Sequence, residues 1–234
     1  VLGEAFKDEK VYALAWTTTP WTLPSNTALC VGPKIDYVAV RGNNPYTNEP
    51  AVFILAEARL NAYFTPAKDD DGNVLPFDIV WKGKGADIVG LHYKQLMPWV
   101  KPCALENGEI VVKEDEAFRV IPGDYVTTED GTGIVHIAPT FGADDAKVAK
   151  DAGIPSLFIL DKGGDTRPMV DFQGKYFEKN DIDTCFLEKC VNESYWKHSG
   201  DYVKNAYDPK YNVDGKYDEK AAAKEMDLNV VLCL

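Results

Sequence analysis

Residues 131–155 read GTGIVHIAPTFGADDAKVAKDAGIP and contain the two kinds of regular structure expected of this chain. The first part, GTGIVHIAP, is rich in β-branched residues and predicts a strand. The second part, FGADDAKVAKDAGIP, predicts a short helix with Asp144 and Asp145 in its first turn, where acids suit the helix dipole. Gly153 ends this helix and Pro155 follows it. A strand joined closely to a helix therefore indicates a fold that contains both.

The chain on either side of this stretch is patterned mostly as strands. EARLNAYF (57–64) has helical spacing, and YDEKAAAKEMDL (217–228) predicts an exposed helix. Apolar runs predict strands at VYALAWTT (11–18), ALCVGP (28–33), DYVAVRG (36–42), AVFILA (51–56), EIVVK (109–113), FRVI (118–121), DYVTT (124–128) and SLFIL (156–160).

These patterns predict a β-rich α+β fold with a few short peripheral helices. No linker forces a split, so we expect one domain over residues 1–234. Its core should span about 10–175, and residues 176–234, which are rich in charged residues, Tyr and Asn, should form a mixed α/β C-terminal part.

Composition and charge exclude several classes of protein. Hydrophobic residues make up 45% of the 234, which is too many for a disordered chain, and no run approaches the 18 apolar residues of a membrane span. The formal net charge of −12 disfavours a protein that coats nucleic acid, although an RNA gripped by a small local patch remains open. The first twenty residues do not resemble a signal peptide, and we interpret the chain as a piece of a longer protein.

The five cysteines include no CxxC pair. This pattern disfavours both a disulfide framework and a zinc site, and it is typical of a protein in the reducing cytoplasm. We expect no metal ion and no cofactor in this domain.

The segment WTTTPWTLPSN (16–26) is the first that could carry chemistry. Pro20 and Pro24 cannot donate ladder hydrogen bonds, so the chain is expected to leave its sheet here. The threonine hydroxyls and the Asn26 amide would then lie on irregular backbone, where they can face a ligand.

The second such segment is centred on His136. A lone histidine between Val135 and Ile137 is more often an ordinary strand residue than a catalyst. The glycines before it and the Pro-X-Phe-Gly turn after it nevertheless suggest close backbone approach to a ligand. Hydroxyls, an amide, an imidazole and a carboxylate together suit an ester with an ammonium group and a positioned water.

Together, TTTPWTLPSN and GTGIVHIAP…GADD resemble the editing domain of isoleucyl-tRNA synthetases, and GADIVGLHY (85–93) resembles a further recurring segment of such domains. The resemblance covers residues 10–160. The signatures of the synthetic site are absent from this sequence. The resemblance implies a barrel-like editing domain that hydrolyses the ester of valine on tRNA(Ile), with valyl-adenylate as a second candidate substrate, and that excludes isoleucine by size.

The resemblance also implies roles for individual residues. The catalytic set would be Thr19, Asn26, His136 and Asp145. Asp145 would bind the substrate α-ammonium, and His136 would lie against the valine side chain and the ribose. Asp144 is interpreted as a helix-capping acid. The remaining substrate-binding residues would be Trp16, Thr17, Thr18 and Thr22.

Direct attack by water is favoured, because the motifs contain no activated nucleophile. Threonines would orient the water or the ribose, and we favour an orienting His136 over a general base. The expected partners are the acceptor end of valine-bearing tRNA(Ile) and the remainder of the synthetase, with no membrane. Three alternatives stay open: a catalytically silent module that binds the acceptor end, a purely structural β-domain, and the editing domain of a valyl or leucyl synthetase.

Overall fold

The computed structural model describes residues 6, 8–45, 47–72, 74–204, 207–213 and 216–217. Its contacts divide the chain into two compact units, each assembled from three segments. The first unit is Val1–Thr17, Leu29–Leu91 and Val120–His136, and the second is Thr18–Ala28, His92–Arg119 and Ile137–Leu234.

The described elements are mostly short strands. The helices are α1 (Leu60–Tyr63), α2 (Ala143–Asp151) and α3 (Thr184–Cys190). Short 3-10 helices occupy Pro20–Ser25, Glu57–Arg59, Gly85–Asp87, Glu114–Glu116, Lys179–Asp181 and Glu193–Lys197. The strands are β1 (Val11–Ala13), β2 (Ala28–Val31), β3 (Asp36–Asn43), β4 (Pro50–Ala56), β5 (Ile79–Lys84), β6 (Cys103–Glu106), β7 (Glu109–Val112), β8 (Arg119–Pro122), β9 (Ile134–Ile137), β10 (Ile159–Leu160), β11 (Thr166–Arg167), β12 (Asn212–Val213) and β13 (Lys216–Tyr217).

The first unit contains a four-stranded sheet in the order β1–β4–β3–β5. β1 pairs with β4 in parallel, whereas β3 is antiparallel to both β4 and β5. Apolar side chains of the two central strands, among them Val38, Val40, Phe53 and Leu55, form a buried cluster closed by Leu60 of α1. Residues 37–40 of β3 and 51–56 of β4 are buried without interruption, which explains why these parts of the strands read as apolar runs.

A three-stranded sheet has the order β8–β2–β9, so the fully buried β2 is its central strand. The Tyr37 hydroxyl, in the first unit, accepts a hydrogen bond from Gly32 N (3.1 Å) and donates one to Gly133 O (2.5 Å). Gly133 has φ +77, and a Cβ there would lie 2.5 Å from Ala56 Cβ. Only glycine allows the backbone at position 133, immediately before β9, to come this close to Ala56.

The second unit packs α3 and the β6–β7 and β10–β11 hairpins around its own hydrophobic cluster. The cluster combines residues from widely separated parts of the chain. Its buried members are Met97, Trp99, Val100, Cys103, Leu157, Phe158, Ile159, Met169, Tyr176, Ile182, Phe186, Cys190 and Tyr195. Residues 176–195 therefore form part of the core of this unit.

The β-rich α+β class is confirmed, with three short α-helices in the described residues. None of the described sheets closes into a barrel. ALCVGP and DYVAVRG do form strands, but β2 and β3 belong to different sheets. The expectation of a strand at DYVTT is wrong, because residues 124–128 form a turn and a bend after β8. The helix expected at 217–228 lies outside the described residues apart from Tyr217, which belongs to β13. The single-domain boundaries stay a prediction.

Candidate functional site

The threonine-rich segment leaves the sheet as predicted and forms a 3-10 turn. Thr19 precedes the turn, Pro20 occupies its first position and Pro24 lies inside it. Thr22 N donates to Thr19 O (3.0 Å), and Thr22 Oγ1 donates to the same oxygen (2.8 Å). The two hydroxyl oxygens are 3.4 Å apart. The turn thus brings Thr19 and Thr22 together, while Thr18 is exposed.

Asn26 ends this turn and is almost fully buried, with 2% of its surface exposed. Its Nδ2 donates to Ala28 O (2.9 Å) and to Ile137 O (3.5 Å). Its Oδ1 accepts a hydrogen bond from the Tyr93 hydroxyl (2.6 Å). Both ends of the carboxamide are therefore bonded to the protein, one of them at the end of β9.

Asp145 lies in the first turn of α2 and is anchored to that same strand end. Its Oδ2 accepts a hydrogen bond from Ala138 N (2.8 Å). Within the described residues, Oδ1 receives no hydrogen bond, so this half-buried carboxylate retains capacity for a cation. Asp144 is exposed, and the helix begins after Gly142 without a side-chain cap. Asp145 and Asn26 thus meet the backbone at consecutive residues, Ile137 and Ala138.

Three of the predicted residues belong to the first unit: Trp16, Thr17 and His136. Trp16 forms a parallel bridge with Val135 and donates its backbone N–H to Ile134 O (3.4 Å). Trp16 as a whole is 46% exposed. His136 lies in β9 and is 7% exposed. Their roles toward a substrate stay predictions.

The five other predicted residues lie in the second unit: Thr18, Thr19, Thr22, Asn26 and Asp145. Among the described residues, no three His, Cys, Asp or Glu side chains form a group that could hold a metal ion. The arrangement in this unit offers hydroxyls, a fixed amide and a carboxylate, which can orient a water and bind an ammonium group.

Sequence reasoning missed Tyr93, the last residue of GADIVGLHY. Its ring packs edge-on against Phe118, with centroids 6.0 Å apart at an interplanar angle of 78°. Burial raises the pKa of its phenol, so the hydroxyl keeps its proton, and can donate a hydrogen bond, at pH values well above neutral. The resemblance of GADIVGLHY to a recurring segment of editing domains drew attention to these residues. Nothing in the neighbouring sequence indicates that Tyr93 bonds to Asn26, which is 67 residues away.

No family model matches the chain. Isoleucine–tRNA ligase of Bacteroides thetaiotaomicron is 56% identical over 232 residues, which are 95% of this chain and 20% of that protein. The same ligase of Porphyromonas gingivalis is 48% identical over 233 residues, 95% of this chain and 19% of that protein. The chain thus spans about one fifth of the length of the curated relatives it matches.

Solved structures with some similarity are editing domains of cytosolic leucyl-tRNA synthetases. The P. knowlesi domain is 17% identical with a TM-score of 0.44, covering 67% of this chain and 60% of that one. A P. falciparum domain is 15% identical with a TM-score of 0.44, covering 96% of this chain and 79% of that one. In the described residues, no helix is long and apolar enough to cross a membrane.

Proposed function

Because this chain belongs to the isoleucine–tRNA ligase family, we propose that it is the editing part of such an enzyme and hydrolyses tRNA(Ile) that carries valine. One methylene in an apolar pocket generally contributes only about 1–3 kcal/mol to discrimination, so a synthetic site alone admits valine too often. A second site that accepts valine and is too small for isoleucine removes the error. We place this activity in the cytoplasm, with the remainder of the synthetase and the acceptor end of tRNA(Ile) as partners.

The reaction is the hydrolysis of an ester. A water oxygen adds to the carbonyl carbon of the valyl ester, and the bond from that carbon to the ribose oxygen breaks. The ribose oxygen takes up a proton, which leaves valine and tRNA with its terminal hydroxyl restored. The same chemistry at a mixed anhydride would discharge valyl-adenylate.

The anchored Asp145 is the observation that carries this proposal. A substrate ammonium in a partly dry pocket needs a fixed negative partner, and Ala138 N–H holds the Asp145 carboxylate by Oδ2 alone. Thr19 and Thr22, in the same unit, supply hydroxyls that can orient the water or the terminal ribose. Trp16, Thr17, Thr18 and His136 are kept as further proposed substrate-binding residues, each within its own unit. We assign His136 an orienting role, as a neutral imidazole.

The test compares two neighbouring acids in the full-length enzyme. Loss of one member of a buried charge pair costs roughly 2–5 kcal/mol, which is about 30-fold to several thousand-fold in rate. Asp145→Ala should therefore slow discharge of Val-tRNA(Ile) by at least this lower factor, whereas Asp144→Ala, at an exposed position on the same helix, should change it little. Aminoacylation with isoleucine reports that both variants are folded.

Three outcomes would contradict the proposal. Equal losses in both variants, or an Asp145→Ala enzyme with full hydrolysis, would remove Asp145 from the site. A wild-type enzyme that binds Val-tRNA(Ile) but leaves it intact would indicate the catalytically silent binding module instead.

A further inference from the structure

The hydrogen bonds of Asn26 fix which way its carboxamide points. Ala28 O and Ile137 O can only accept, so the group facing them must be Nδ2. Oδ1 then faces the Tyr93 hydroxyl, which must be the donor of the 2.6 Å bond. Tyr93 and Asn26 therefore form one directional unit, in which the phenol sets the orientation of the amide.

Backbone contacts hold Tyr93 in place independently of this bond. Tyr93 N donates to Phe118 O (2.8 Å), and Phe118 N donates in turn to Thr27 O (2.7 Å). The edge-on contact with the Phe118 ring limits the phenol further. Tyr93 is thus a rigid support, which is what orienting another side chain requires.

Asn26 connects the two pieces of backbone that carry the proposed site in the second unit. Its backbone N–H closes the 3-10 turn on Leu23 O (3.0 Å), and its Nδ2 reaches Ile137 O at the end of β9. The next residue, Ala138, anchors Asp145. The backbone bond from Thr27 N to Ile137 O (3.0 Å) joins the same two segments, and the Asn26 side chain adds the link that sets how the Thr22-bearing turn sits relative to Asp145.

We propose that Tyr93 is a positioning residue that acts through Asn26 to hold the threonine-bearing turn in register with Asp145. This inference rests on the proposed function. It also changes the role expected of Asn26, which is a positioning residue itself, because its carboxamide is buried and both of its ends bond to neighbouring protein groups.

The test removes the Tyr93 hydroxyl alone. Tyr93→Phe in the full-length enzyme should lower kcat for Val-tRNA(Ile) hydrolysis roughly 5- to 50-fold with little change in KM, because a buried amide oxygen loses its donor. Tyr195→Phe is the matched control. Its hydroxyl also lies in the second unit and donates to a backbone carbonyl, Phe177 O (3.0 Å), but it does not contact Asn26.

A double-variant cycle checks that Tyr93 acts through Asn26. In an Asn26→Ala background, Tyr93→Phe should change kcat less than twofold, since the group it orients is gone. If the kcat losses of Tyr93→Phe and Asn26→Ala multiply in the double variant, the two residues act independently and the inference is overturned. So would equal losses in Tyr93→Phe and the Tyr195→Phe control, because a general loss of stability would then explain both.

Hydrogen exchange provides a readout that does not require activity. Tyr93→Phe should speed amide exchange in residues 20–28 and 134–140, and Tyr195→Phe should not. Unchanged exchange there would overturn the inference even with an active enzyme. A wild-type enzyme without hydrolysis would instead overturn the proposed function and the catalytic part of this inference, while exchange would still decide whether Tyr93 holds Asn26.

Discussion

At the scale of single residues, His136 is the one whose substitution separates size selection from catalysis. It lies in β9, 7% exposed, and its strand neighbour Val135 points to the opposite face of the sheet. If His136 forms part of the wall of the valine pocket, the extra methylene of isoleucine is excluded by overpacking, which costs roughly 1–3 kcal/mol or more.

We therefore predict that His136→Ala in the full-length enzyme gains hydrolysis of Ile-tRNA(Ile), measured as release of isoleucine from the charged tRNA. Val135→Ala, on the other face of the strand, should not gain it. A His136→Ala enzyme that loses valine hydrolysis without gaining isoleucine hydrolysis would make His136 catalytic and contradict its orienting role.

Tyr37 gives a prediction about stability that does not depend on function. It is fully buried, and burial raises the pKa of its phenol to about 12 from an ordinary value near 10. Below pH 10 the phenol is protonated in both the folded and the unfolded chain. As the pH rises from about 10 to 12, only the unfolded chain loses the proton, so the folded state loses roughly 2–3 kcal/mol of stability.

Urea unfolding at several pH values measures this effect. The free energy of unfolding should fall more steeply between pH 10 and 12 in the wild type than in Tyr37→Phe. Parallel curves for the two proteins would mean that Tyr37 does not titrate as its burial indicates.

At the scale of elements, α2 carries Asp145 and two lysines, Lys147 and Lys150, which we propose as contacts for tRNA phosphates. Lys147 and Lys150 are exposed on this nine-residue helix. Each phosphate neutralised on a single strand contributes about 0.7 to the salt slope, so two or three contacts would give a slope of about −2. A chain with a net charge of −12 is not expected to make many more.

A salt titration of tRNA binding by the 234-residue chain tests this helix. Changing Lys147 and Lys150 together to Ala should make the slope shallower by about 1.4. The matched control is the pair Lys82 and Lys84, which form ion pairs with Glu57 and Asp36. An unchanged slope would mean that Lys147 and Lys150 are solvent-exposed lysines that do not contact tRNA. A wild-type slope steeper than about −4 would indicate that a broad basic face binds the tRNA.

At the scale of the whole molecule, each unit draws its core from distant parts of the chain. In the second unit, Phe186 of α3 is fully buried and packs against Phe158, with ring centroids 5.8 Å apart. The C-terminal part beginning at residue 176 is therefore needed for the core of this unit.

Truncation of the Phe186 side chain tests that conclusion. Phe186→Ala should reduce the free energy of unfolding by about 3–5 kcal/mol, as for other large-to-small changes in a core. Glu188→Ala, at an exposed position of the same helix, should change it by about 0.5 kcal/mol or less. Similar values for the two variants in urea unfolding would mean that α3 is not part of the cooperative core.

The sequence by itself determined those structural features that depend only on residues close together in the chain. Apolar runs located the central strands β2, β3 and β4, acids and a glycine located α2, and two prolines predicted that the chain leaves its sheet at the threonines. The motifs also indicated the family. The strand predicted at DYVTT does not form, and residues 124–128 make a turn and a bend instead. A β-branched composition favours a strand only where a partner strand is available.

Only the tertiary structure decided which distant residues meet. The Tyr93 hydroxyl bonds to the side-chain amide of Asn26, 67 residues away in the chain. That amide in turn bonds to the carbonyl oxygen of Ile137, which is 111 residues from Asn26. Local periodicity carries no information about such pairs, because burial and the need to satisfy buried polar groups select them. Assignment of β2 and β3 to different sheets, and of residues 176–195 to a core, follows from the same long-range packing.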